Sequence, residues 1–315
     1  MQIAATTITH RETIERLTES VRSAAVIDDG KLTLIIAALL AQGHVLLEDV
    51  PGIGKTLVAK ALAKSIDGTF KRIQCAPDLL PSDITGGAIY NQREQQFEFV
   101  PGPIFANVLL VDEINRASPR TQSSLLEAMA ERQVTSDGVT RRLERPFFLM
   151  ATQNPVEMAG TFPLPEAQLD RFLVALSLGY PSFEDEVSIL EREEHSDPLD
   201  SVEPVVSADA IISIQEAVMA ISVTRALKEY IVQLAAATRT HGDVVLGMSP
   251  RGGAALQRCA QALALIKQRT FVTPDDLKTA ALGVMPHRIM ARDRRPETAR
   301  GVVEQVLKSV KVPLE

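Results

Sequence analysis

Glu48-Asp49-Val50-Pro51-Gly52-Ile53-Gly54-Lys55-Thr56 is the stretch that decides how this chain is read. His44-Val45-Leu46-Leu47 runs into it with the continuous apolar pattern of a short buried strand. Residues 57–63, beginning at Leu57, leave it with a helical pattern. A strand, a Gly-bearing turn and a helix in that order make a phosphate loop. Gly52 and Gly54 let the backbone curl and aim its N–H groups inward, and the helix adds about half a positive charge at its N-terminus. Lys55 is placed to reach terminal phosphates. The Thr56 hydroxyl is placed to hold Mg²⁺, a hard cation that suits oxygen ligands. Asp49, Val50, Pro51, Gly52, Ile53, Gly54, Lys55, Thr56 and Leu57 therefore form the candidate cradle for a nucleotide's phosphates. One position departs from the loop pattern, which begins with Gly. Asp49 stands there, so a carboxylate is expected near a phosphate site without glycine's backbone freedom.

The chain has 315 residues, 45% of them hydrophobic, enough for one large or two modest domains with a sizeable core. Its formal net charge is −7, which argues against a general affinity for nucleic acid. Cys75 and Cys259 lie far apart in apolar settings, so neither metal spacing nor a disulfide framework is present, and two buried thiols in a reducing cytoplasm are expected. The first ten residues lack the pattern of a secretion signal. The longest apolar run, residues 32–41, is too short to span a bilayer, so no membrane insertion is expected.

Residues 9–26 have the spacing of an amphipathic helix, with Gly30 as its breaker and a more buried helix over 31–41. Residues 69–75 read as a second strand, and 77–87 as turn material around a short helix at most. In 88–103, two apolar flanks around a polar segment fit either a hairpin or a loop set into a helix. Phe97 and Phe99 there either face a partner or pack onto the domain's own core. Residues 106–111 form a buried, parallel-type strand that delivers Asp112 and Glu113 to its carboxyl end, where an open α/β sheet binds ligands. Asp112 is placed to hold the Mg²⁺ shell, and Glu113 to orient or deprotonate the attacking water. A helix over 119–132 and a hairpin turning at Asp137-Gly138 follow, with Arg141 and Arg142 on its far arm. Residues 146–152 read as a third core strand, which brings Asn154 to the same edge to hold the lytic water or a γ-phosphate; the alternative for Asn154 is a turn cap before Pro155.

After Tyr180-Pro181-Ser182 the chain reads as helices only, which puts a domain boundary at 180/181. Residues 196–206 read as an exposed loop. Ser249-Pro250 caps and opens a helix, and Arg251 then sits in a first turn whose dipole it opposes. An anion meeting it, such as a nucleotide phosphate in the cleft between the domains, would explain this; a solvated surface arginine is the alternative.

The phosphate loop, Asp112-Glu113 and the strand-terminal Asn154 come in the order of an AAA+ ATPase. With residues 77–86, Asp112-Glu113-Ile114-Asn115-Arg116-Ala117, Ala151-Thr152-Gln153-Asn154-Pro155, residues 164–172 and Ser249-Pro250-Arg251, nearly the whole chain resembles the MoxR family, in which an Asp at the first loop position is ordinary. The resemblance implies an α/β fold: an AAA+ P-loop three-layer domain with a parallel sheet (residues 1–180), followed by an all-α lid domain (residues 181–315). It implies a homo-oligomer, a hexameric ring with ATP between subunits, in which a neighbour's Arg171 touches the γ-phosphate and Arg251 matches a second sensor arginine. For Arg171 the alternative is a local salt bridge with Asp170; Arg116 and Arg120 are weaker candidates for the same intersubunit role. Gln74 is a candidate polar switch that positions Glu113. The resemblance also implies chaperone-like remodelling or maturation of a client, a protein with a von Willebrand factor A domain or a metal-cofactor enzyme. Rival readings are a DNA motor or helicase-type subunit, which Arg141 and Arg142 keep open, and a nucleotide-switched scaffold with little turnover.

Overall fold

A computed structural model describes residues 2–49, 52–153, 160–193 and 197–313. Two helices come first, α1 (Gln2–Ala24) and α2 (Asp29–Leu40). Gly30 does not break them: Asp28 caps α2 by accepting from Lys31 N–H, so Gly30 lies inside its first turn. Then come β1 (Val45–Glu48), α3 (Lys55–Ser65), β2 (Phe70–Gln74) and the short α4 (Pro81–Thr85). An antiparallel hairpin follows, β3 (Gly86–Asn91) and β4 (Gln96–Pro101), which decides for the hairpin over the inserted loop. Of its aromatics, Phe97 is 74% exposed, whereas Phe99 packs edge-on against Phe105. Next are β5 (Val108–Asp112), α5 (Pro119–Glu131), a second hairpin of β6 (Gln133–Ser136) and β7 (Val139–Arg142), β8 (Phe148–Gln153), α6 (Glu166–Leu169) and β9 (Val174–Leu176). The two hairpins are clasped together, for Arg141 stacks 3.5 Å over the Phe99 ring and Asp137 accepts from Ala88 N–H.

The central sheet has five parallel strands in the order β2-β5-β8-β1-β9. Both faces are covered. Val45, Leu47, Val108, Leu110, Phe148 and Met150 belong to one apolar core, and Leu46, Leu109, Val111, Leu149 and Ala151 to the other. This is the alternation a pleated strand imposes, with both sides buried. Because all five strands run the same way, the phosphate loop after β1 and the acids ending β5 meet at one edge. His44 staples the opposite edge. Its Nδ1 accepts from Leu149 N–H (3.0 Å), which leaves Nε2 to donate to Met129 O (3.3 Å), and burial lowers its pKa to about 4.

The helical part contains α7 (Phe183–Glu193), α8 (Ala208–Ala220), α9 (Arg225–Thr240), α10 (Pro250–Ile266), α11 (Pro274–Val284) and α12 (Pro296–Ser309). It is not helices only. β10 (Val244–Leu246) pairs antiparallel with β11 (Met290–Ala291). Nor is the segment before α8 merely an exposed loop: Val202 and Val206 are buried, and Val205 and Val206 N–H both donate to Ser65 O at the end of α3. The expected boundary at 180/181 falls in the connection between β9 and α7. One apolar core runs from α1 and α2 through the helical part to Val306. Cys75 and Cys259 are free and buried, and burial pushes both thiols up to about 12. Among the described residues no helix is long and apolar enough to cross a membrane.

Candidate functional site

Gly52 (φ 88°) and Gly54 (φ 84°) both adopt the left-handed conformation that favours glycine. A Cβ built at either would meet nothing within 4 Å, so both turn an open backbone surface to the cleft. Gly54 is the N-cap of α3, and Lys55 and Thr56 form its first turn. Lys55 Nζ donates to Asp49 O (2.9 Å). Burial lowers the Lys55 pKa, while the nearby carboxylates Asp49, Asp112 and Glu113 pull the other way, which places the lysine in the field of both strand-end acids. A cleft of about 440 Å³ opens beside the loop, with Gly52, Ile53 and Gly54 as its floor and Val26, Leu57, Tyr180 and Ile189 among its walls. A glycine floor with a helix N-terminus and a lysine fits phosphates, and the apolar walls fit a purine ring. Val50 and Pro51 lie outside the described residues.

Asp49 does not face this cradle, contrary to the expectation. Its carboxylate accepts from Ser177 Oγ (2.6 Å), Leu178 N–H (2.6 Å) and Gly179 N–H (3.2 Å), and the residue is 5% exposed. The charge is spent on the connection between β9 and α7. Asp49 thus holds Lys55 with its backbone carbonyl and the connection with its side chain.

Asp112 and Glu113 diverge, and more sharply than strand alternation requires. Asp112 ends β5, with Oδ1 accepting from Thr152 Oγ1 (3.2 Å) and Oδ2 from Arg72 Nε (2.6 Å). Glu113 has left the strand for the left-handed region (φ 55°), a conformation that costs a non-glycine residue roughly 1 kcal/mol. Its N–H donates to Thr152 Oγ1 (2.9 Å), while Gln74 Nε2 (3.1 Å) and Arg116 NH1 (3.0 Å) both donate to its Oε2. The Gln74–Glu113 contact is the one expected of a polar switch, and Arg116 is engaged with Glu113. Arg72 and Thr152 escaped sequence reasoning: each reaches an acid 40 positions away, and only strand register could have found them. Asn154 lies outside the described residues. The last residue of β8, Gln153, donates to Glu48 Oε1 (2.7 Å).

The arginines lie elsewhere. Asp170 accepts from the buried Arg288 (Nε, 2.7 Å) and from Ser249 Oγ (3.0 Å), so its charge is answered there and not by Arg171. Arg288 also donates to Leu173 O and Phe172 O, and burial lowers its pKa to about 10. Arg171 is left half-buried in a groove beside Glu127 and Glu131 of α5. Ser249 caps α10, so its bond to Asp170 puts Arg251, exposed in the first turn, at this same corner, where its charge is felt by Arg288. Phe172 and Leu173 are level with the start of β1, because Leu173 N–H donates to His44 O. The phosphate loop is at the other end of that strand, roughly 15 Å away by strand rise. The helix carrying Arg251 therefore starts from the Asp170 corner, whereas the reading from sequence expected Arg251 in the cleft between the domains. That corner adjoins Arg171, the next residue in the chain after Asp170.

The model of the AAA ATPase family associated with various cellular activities matches residues 44–174, and that of the AAA lid domain matches 236–310. The protein YeaC of Bacillus subtilis is 53% identical over 90% of this chain and 89% of its own length. Chaperone MoxR1 of Mycobacterium tuberculosis is 40% identical over 96% of this chain and 82% of its own. A crystal structure of a protein from Cytophaga hutchinsonii superposes with a TM-score of 0.92 at 35% identity, covering 99% of this chain and 98% of that one. With the phosphate loop, the two strand-end acids and the helical lid in place, these likenesses settle the family: the chain belongs to the MoxR family of AAA+ ATPases.

Proposed function

We propose that this ATPase couples hydrolysis to the remodelling or maturation of a client protein, working as a closed ring of identical subunits, six by resemblance, in the cytoplasm. What supports the ring is the separation of the site into two halves. Lys55, Asp112 and Glu113 meet at one end of the sheet, while Arg171 and Arg251 lie together at the other, roughly 15 Å of strand away. Neither arginine serves its own cleft; each serves a neighbour's. A permanently charged, planar guanidinium suits the charge that gathers on the transferring phosphoryl group.

Within the cleft, Gly52 and Gly54 bring backbone N–H groups to the phosphates and Lys55 adds a full charge. Thr56 and Asp112 are the oxygen donors that would hold Mg²⁺, which when bound neutralises phosphate charge. Glu113, fixed by Thr152 at its backbone and by Gln74 and Arg116 at its carboxylate, takes the proton of the attacking water, with Asn154 as the neutral partner that orients it. Arg72, bonded to Asp112, holds that carboxylate in place.

The client reading rests on the name of the mycobacterial relative, a chaperone, and on the net charge of −7, which disfavours nucleic acid. A protein with a von Willebrand factor A domain or a metal-cofactor enzyme is the class of client the family resemblance points to. The hydrolysis mechanism is tested by Glu113→Gln. ATP binding measured by calorimetry should stay near wild type while phosphate release falls by about 10²-fold or more; release within a few-fold of wild type would remove Glu113 as base. The client reading is tested by steady-state turnover with added DNA and with added von Willebrand factor A domain protein: stimulation by DNA alone would overturn it.

A further inference from the structure

Among the open apolar surfaces of the described residues, two adjoin the two halves of the divided site. The first is a stripe on α7. Phe183 is 78% exposed, Val187 36% and Leu190 65%, and their spacing of four and three residues puts them on one helix face. Acids flank the stripe, Glu184 and Glu191 among them, both exposed. The second surface is a groove of about 400 Å³ between α9 and α10. Ile231 and Ala235 form its floor, Val232 (63% exposed) and Gly253 its sides, and Lys228 and Arg239 its charged lips.

Gly253 carries information of its own. Its neighbour Gly252 is required by packing, because a Cβ there would run into Met248 and Arg288. A Cβ on Gly253 would meet only Ile231, at an ordinary 3.5 Å. Nothing inside the protomer demands glycine at this point in a helix, where alanine is the more stable choice. What glycine does there is keep the groove open.

The stripe begins at the nucleotide cleft, whose mouth Leu190 and Glu186 help to line. The groove begins at the Asp170 corner, whose Ser249 lies on its rim two residues from Arg251. We propose that the Phe183–Val187–Leu190 stripe of one copy docks into the α9–α10 groove of a second copy of this chain, α7 acids against Lys228 and Arg239, and that this contact carries the second copy's Arg251 and Arg171 to the first copy's cleft. The signs match, acidic helix to basic lips, and the stripe, about two helical turns long, fits within a groove whose lips stand about three turns apart on α9. A stripe and a groove are unlike surfaces, so the contact is head-to-tail and repeats until it closes. The inference rests on the ring reading above and says which surfaces make it.

The experiment uses the full chain with Mg·ATP and reads mass by sedimentation and turnover by phosphate release. Phe183→Asp and Val232→Asp alter one exposed position each, on opposite surfaces, and thermal melting reports whether each still folds. Wild type should assemble. Each variant alone should stay monomeric and lose at least tenfold in turnover, with ATP binding retained. An equimolar mixture should form heterodimers and regain part of the activity, because the groove of Phe183→Asp and the stripe of Val232→Asp are both intact. If wild type assembles and both folded variants assemble and turn over like it, or if both are lost but the mixture regains nothing, these surfaces are not the contact, although the ring stands. If wild type turns over fully as a monomer at every concentration, the ring reading itself fails and takes this contact with it.

Discussion

At the carboxyl edge of the sheet, the polar groups face a cleft and hold one another in an open network. Glu113 sits in a left-handed backbone conformation, half-buried, with two donors converging on its carboxylate and its own N–H donated to Thr152. At the Asp170 corner the groups are interred: Arg288 has a side chain 2% exposed, and its guanidinium is answered by a carboxylate and several carbonyls. The first region must reshape itself around a substrate. The second must present two arginines to something outside the protomer without giving way. A rigid, desolvated ion pair is a poor source of net stability but a good way to fix geometry. The contrast between a yielding edge and a locked corner is what a site shared between two copies requires.

Breaking the corner from outside should cost function alone. Arg171→Ala should lower turnover by roughly 10³-fold or more, as loss of a phosphoryl-stabilising arginine does, while the melting temperature barely moves; phosphate release and calorimetry together check this. Breaking it from inside should cost the fold. Arg288→Met leaves the partly buried Asp170 without its charged partner and several carbonyls without a donor, and denaturant unfolding should show a loss of about 3 kcal/mol. If Arg288→Met proved harmless, the corner would not be the rigid element described above.

The sheet's other anchor gives a pH-dependent version of the same contrast. His44 has a folded-state pKa of about 4 against 6.5 for the free side chain. The unfolded chain therefore binds its proton first, and the His44 contribution is intact above pH 6.5 and is lost as pH falls toward 4. By that acidity the loss should approach about 3 kcal/mol, and a stability profile of His44→Gln should be flatter over the same range. At the yielding edge the smallest effect is expected. Asp49→Ala leaves three donors unanswered, at roughly 1–3 kcal/mol in unfolding experiments, with weaker ATP binding as the loop loses its tie to the connection.

The phosphate loop and Asp112-Glu113 were legible because their chemistry is contiguous: the residues that act together are neighbours in the chain or end a recognisable strand. What escaped lies across the fold. β9 is three residues long and pairs with β1 from 129 positions away, too short for a period to show. Arg251 had a legible helix cap and an evident conflict with the helix dipole, from which an anion was expected. Nothing in the sequence said on which end of the sheet that helix would start, a matter settled by Ser249 reaching Asp170 across 79 residues. Asp49 is the clearest case. Its departure from glycine read as a local problem beside phosphates, and its partners turned out to be Ser177, Leu178 and Gly179.

That tether makes the nucleotide loop a poor spare part. Transplanting the equivalent segment from an ATPase with glycine at this place would supply every group that grips phosphate and still strip the β9–α7 crossing of its anchor. Grafts that also replace residues 177–179 should be tolerated where the loop alone is not, so in this lineage the two segments are bound to vary together.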